Sequence, residues 1–120
     1  MPNTSDLAKK LNLKDGMSVH VIGKPNVVDL EDIAVTASPD AEGVIAFARM
    51  LVHLDAIGEP VVQAAKADRI AWFAYPKAGQ LDTDLNRDIL ARHVEKAGVK
   101  AVRQVSIDAV WSALRFRPGK

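Results

Sequence analysis

The chain reads as an α/β protein: a three-layer sandwich on a mostly parallel sheet of about six strands, with one antiparallel strand from a C-terminal hairpin. Three observations predict this. Segments of strand character alternate with segments of helical period, the pattern of parallel strands joined by helical crossovers. Two runs, Val44-Ile-Ala-Phe47 and Ile70-Ala-Trp-Phe-Ala74, are apolar at every position, as strands buried on both faces are. The last two strand-like segments are joined by a tight turn at Asp108-Ala109, which makes them an antiparallel pair. The expected strand order is 2-1-3-4-6-5, with strand 6 running against the rest, in one domain over residues 1–120.

Ser5 is placed to cap a short helix over residues 6–11, with Leu7 and Leu11 on one face. After the turn signal Asp15-Gly16, residues 18–22 form the first strand, ended by Gly23-Lys24-Pro25. Asn26 caps a brief helix to Glu31, and residues 32–36 make the second strand. Residues 41–51 admit two readings, the start of a long helix or a buried strand. The continuous apolar run after Gly43 favours the strand, over residues 44–48. A helix over residues 51–66 follows, with Pro60 expected to kink it or split it in two.

Residues 69–75 are the plainest strand, stopped by Pro76. Thr83 reads as the cap of a helix over residues 84–97, with Asp84 in its first turn, Lys96 in its last and Gly98 just beyond. Strands over residues 99–107 and 110–117 close the chain. All six aromatic residues fall in expected strands. The runs centred on Phe47 and Trp72 are expected at the middle of the sheet.

Composition narrows the function more by exclusion than by assignment. With 48% hydrophobic residues and charges nearly balanced at +1, the chain is a folded domain rather than a disordered one. No apolar run approaches the length of a membrane span. The absence of cysteine removes thiol catalysis, disulfides and thiolate metal sites. Lys and Arg (16) are interspersed with Asp and Glu (15), which argues against nucleic acid as a partner. The N-terminus carries neither a basic stretch nor an apolar one of the kind that directs secretion, so a cytoplasmic location is expected.

In an open α/β sheet, ligands bind beyond the carboxyl ends of the parallel strands, where the strand order reverses. The expected topology gathers Lys24, Pro25, Ser38 and Arg49 on that edge, with Tyr75, Lys77 and the start of the 84–97 helix. The antiparallel last strand begins there too and adds Trp111 and Ser112. Cations, a helix N-terminus and an aromatic wall together suit a small anion. The other reading is a rim of solvated charge around a filled crevice. Tyr75-Pro76-Lys77 is the sharpest element, because Pro76 restricts the backbone from which Lys77 leaves a central strand. Trp111, Ala113 and Arg115 share a strand face, as a partner interface or a Trp covered by an Arg requires.

Other chemistries find little support. The acidic stretch 82–88 lacks the glycine turn and terminal glutamate of a calcium loop. His20, His53 and His93 form no helical metal-binding pair, and no serine sits in a nucleophile elbow. No metal and no cofactor is expected.

Several blocks carry a resemblance: Leu7-Ala-Lys-Lys-Leu-Asn-Leu-Lys14, Trp72-Phe-Ala-Tyr-Pro-Lys77, Thr83-Asp-Leu-Asn-Arg-Asp88, and Val105 through Arg117. They resemble a bacterial family of small domains of unknown function. The order of elements resembles a truncated Rossmann-like methyltransferase sheet, whose last hairpin inserts an antiparallel strand in the same way. The chain departs from active methyltransferases in the turn after the first strand, where Gly23-Lys-Pro-Asn-Val-Val28 holds one glycine. Thr36-Ala37-Ser38 stands where an acidic ribose-binding residue would end the second strand. The resemblance implies a fold and no activity. The expected function is a non-enzymatic module that binds a small anionic ligand or a protein partner, a second copy of the chain included. The alternative is a methyltransferase-like or phosphate-handling enzyme with a degenerate cofactor site.

Overall fold

The computed structural model describes residues 9–13, 17–26, 28, 33–38, 41–77 and 79–119. Six strands form one sheet in the order β2-β1-β3-β4-β6-β5. They are β1 (Ser18–Ile22), β2 (Ala34–Thr36), β3 (Gly43–Phe47), β4 (Ile70–Pro76), β5 (Val99–Ser106) and β6 (Trp111–Pro118). β1 pairs in parallel with β2 and β3, and β3 with β4. β6 lies antiparallel between β4 and β5. The order and strand directions are those the sequence predicts, and residues 43–47 are a strand. The reason is burial: every residue of β3 and β4 is buried, which suits their unbroken apolar runs.

Three helices lie wholly within the described residues: α1 (Leu51–Ile57), α2 (Glu59–Lys66) and α3 (Arg87–Glu95). The expected 51–66 helix is split, but the break falls at Gly58. Pro60 stands in the first turn of α2, where its missing N–H leaves no helical bond unmade. Gly58 is set by a close approach: a Cβ there would lie 2.8 Å from Cζ of Phe73.

All three described helices cover one face of the sheet. Leu54, Val61, Ala64, Leu90 and Val94 pack there on Val44, Ala46, Phe73, Tyr75, Leu114 and Phe116. On the second face Ile45, Phe47, Trp72, Ala74, Trp111 and Ala113 meet Leu11, Leu13 and Val28. The Trp72 indole N–H donates to the Leu11 carbonyl at 3.1 Å, which ties the N-terminal segment to the central strand. The expected short helices over 6–11 and 26–31 fall largely outside the described residues.

One expectation is corrected at α3. Its cap is Asn86, whose side chain accepts from the Ile89 N–H at 2.9 Å, rather than Thr83. Thr83 and Asp84 are used elsewhere. The Thr83 hydroxyl donates to the Arg49 carbonyl, and the Asp84 carboxylate accepts from the Leu51 N–H at 2.8 Å. Asp84 therefore satisfies an open N–H in the first turn of α1, which has no side-chain cap of its own.

Candidate functional site

The parallel strands and β5 all end on one edge of the sheet, and the order reverses at β1. At that point the loops after β1 and β3 touch. Gly23 has a left-handed backbone (φ 72°), and a Cβ there would approach the Phe47 carbonyl to 3.1 Å. A single glycine thus serves to bring two protein loops together. The cations beside it are partly engaged. Lys24 folds back so that its ammonium donates to the carbonyls of Pro25 at 3.0 Å and Val28 at 2.7 Å. Arg49 is exposed, and the 83–84 segment is pinned across its backbone.

The two aromatic residues expected to form a wall lie on opposite faces. Tyr75 is buried under the helices, and its hydroxyl accepts from the Gln104 side-chain amide at 2.8 Å. That burial raises its pKa above the ordinary phenol value. Trp111 is buried on the second face, edge-on to Phe47 with ring centroids 5.4 Å apart. Ser112 is buried opposite Tyr75 in the β4–β6 ladder. Ser38 leaves the carboxyl edge: it lines a cleft at the opposite edge with Ser18, Glu42 and Arg69.

Lys77 meets the expectation most closely. Its backbone N–H donates to the Val110 carbonyl at 2.7 Å, fixing the chain as it leaves β4. Its ammonium reaches the Ser106 hydroxyl at 2.9 Å. Lys10, arriving from the N-terminal segment, donates to the carbonyl of the same Ser106 at 3.3 Å. The Asp108 carboxylate, in the turn just beyond β5, is turned inward and accepts the N–H groups of Val110 (2.8 Å) and Trp111 (2.7 Å) through Oδ1. Two ammonium groups therefore converge on one residue through neutral oxygens. The strand order explains the meeting, since β4 and β5 end on the same edge two strands apart.

Ser106 and Lys10 were not among the expected site residues. The end of β5 at Ser106 was readable, but the path of residues 9–13 across the second face was not. A further arrangement had no sequence signal. The His93 ring Nε2 lies 3.0 Å from Asp55 Oδ1, joining α3 to α1 across a groove of about 300 Å³ floored by Leu54, Val62 and Phe73. Among the described residues no cluster of three potential metal ligands occurs. Among the described residues no helix is long and apolar enough to cross a membrane. No family model matches the chain, and no curated protein matches its sequence.

Proposed function

We propose that the protein is a non-enzymatic binding module that takes an anionic group, phosphate or carboxylate, at the carboxyl edge of its sheet. We read it as a Rossmann-like member of the bacterial small-domain family named above, working in the cytoplasm, where a cysteine-free chain is at no disadvantage. The observation that carries the binding role is the convergence of Lys10 and Lys77 on Ser106. Among the described residues the partners of both ammonium groups are neutral, so no ion pair there cancels their charge. An anion between them would gain two charge-assisted hydrogen bonds and displace only weaker ones. A free small molecule and an anionic group on a protein partner present the same chemistry to the lysines.

A thermal-shift series with inorganic phosphate, citrate, nucleotides and S-adenosylmethionine tests this reading. Phosphate or citrate should raise the melting temperature of the wild type. The rise should vanish in Lys77→Ala and persist in Lys24→Ala, because Lys24 is held by its own loop. Equal rises in wild type and Lys77→Ala would reject the site. A response to S-adenosylmethionine alone would favour the enzyme reading.

A further inference from the structure

The second face of the β5–β6 flank carries an arrangement that the carboxyl-edge site does not use. In the antiparallel ladder Lys100 stands opposite Arg117, and Arg103 stands opposite Arg115. A register shift between Ala101 and Arg103 keeps both pairs on the same face: Ala101 and Phe116 point to the helices on one side of it, and Val105 and Ala113 to the second face on the other. The result is a two-by-two array of cations, about 5 Å apart across the strands and about 7 Å along them. Like charges directly opposite each other destabilise a sheet. Here that happens twice in succession.

Compensation is incomplete. Asp68 holds Arg117 through two hydrogen bonds, at 3.0 and 3.2 Å. Asp68 also attracts Arg115, but among the described residues no carboxylate forms an ion pair with Lys100, Arg103 or Arg115. The Nε of Arg115 is buried without a hydrogen-bond partner. Burial, and then the neighbouring Arg117 charge, hold the Arg115 pKa below the ordinary guanidinium value. Lys100, Arg103 and Arg117 are exposed.

We infer that this array is a docking surface for an acidic, extended segment of a protein partner. Three of the four cations are guanidinium groups, which bind carboxylates in a two-pronged geometry. An extended chain places alternate side chains about 7 Å apart, the spacing of Arg115 and Arg117 along β6. A second copy of the chain is disfavoured at the edge, because Lys100 and Arg103 would face their own kind. Nucleic acid is the poorer fit. All six aromatic side chains are buried, leaving none for base stacking, and the net charge of +1 gives no long-range attraction.

Fluorescence anisotropy on the full chain at low ionic strength tests the inference with three probes. They are a blocked heptapeptide alternating glutamate with threonine, its glutamine counterpart, and a short single-stranded DNA. The glutamate peptide should bind, and binding should weaken as salt is added. The glutamine peptide, and the exposed-site variants Lys100→Glu and Arg103→Glu, should each lose about tenfold or more. Arg103→Lys should retain most of the binding. Lys77→Ala should leave it intact, which separates this surface from the carboxyl-edge site. Arg103→Glu should also raise the melting temperature by about 2–4 °C, because it replaces a like-charge pair by an opposite one. Absence of glutamate-peptide binding, equal binding of the glutamine peptide, or a lowered melting temperature in Arg103→Glu would overturn the inference. Tighter binding of the DNA than of the peptide would assign the array to nucleic acid instead.

Discussion

Strands β4 and β5 run in the same direction in one sheet, two positions apart, and their side chains are put to opposite uses. Every residue of β4 is buried, and Trp72 and Phe73 anchor the cores on its two faces. In β5 only Val99 is fully buried, and the strand presents Lys100, Arg103 and Gln104 to solvent or to polar partners. The contrast follows from position. β4 has a strand on each side, so its backbone polar groups are satisfied and both faces are free to exclude water. β5 is an edge, and an edge that was flat and apolar would invite pairing with another chain. Charge and a bulge are the usual protection. On this molecule the protective charges face one another, and we assign them a binding role as well.

The largest effect should come from the centre. Trp72→Ala removes a side chain that is 1% exposed and with it the bond to the Leu11 carbonyl. Denaturant unfolding should show a loss of about 3–5 kcal/mol, and hydrogen exchange should show the 9–13 segment losing protection. A loss below about 1 kcal/mol would mean that the second-face core contributes little to stability. Tyr75→Phe acts where the two regions meet, deleting the acceptor of Gln104 without opening a cavity. Its cost should be about 0.5–1.5 kcal/mol by the same measurement.

The smallest effect should come from the flank. Asp68 is exposed, and its bond to Arg117 holds its carboxyl pKa below the ordinary value. A depressed carboxyl pKa contributes stability above the unfolded-state value, lost as pH falls through the folded-state one. Wild type should therefore melt slightly above Asp68→Asn at neutral pH. The gap should close on acidification through that depressed pKa. A gap that widens toward acid would contradict the assignment of Asp68 as the partner of Arg117.

The same contrast sets what the sequence could reveal. Burial writes itself into residue type, so the unbroken runs at 44–47 and 70–74 disclosed the central strands, and the short turn at 108–109 disclosed the antiparallel pair that closes the chain. What stayed hidden depends on contacts between distant segments. Thr83 and Asp84 have the chemistry of a helix cap, yet they bind the Arg49 carbonyl and the Leu51 N–H, and Asn86 caps α3 instead. Tyr75 and Trp111 do end on the carboxyl edge, but Tyr75 pairs with Ser112 and Pro76 with Trp111, so the two rings fall on opposite faces. Lys77 was legible as a side chain leaving a central strand. Its meeting with Lys10 at Ser106 was not, because nothing local reports where residues 9–13 cross the sheet. The two facing cation pairs of β5 and β6 were hidden by the bulge after Ala101, which breaks simple alternation.

The most direct test of the binding role is an amide chemical-shift map of the chain titrated with inorganic phosphate. Saturable shifts are expected at Lys77, Ser106 and Val110, with residues around Asp55 and His93 in the helix groove unmoved. Shifts centred on that groove, or none that saturate at the end of β4 and β5, would contradict it.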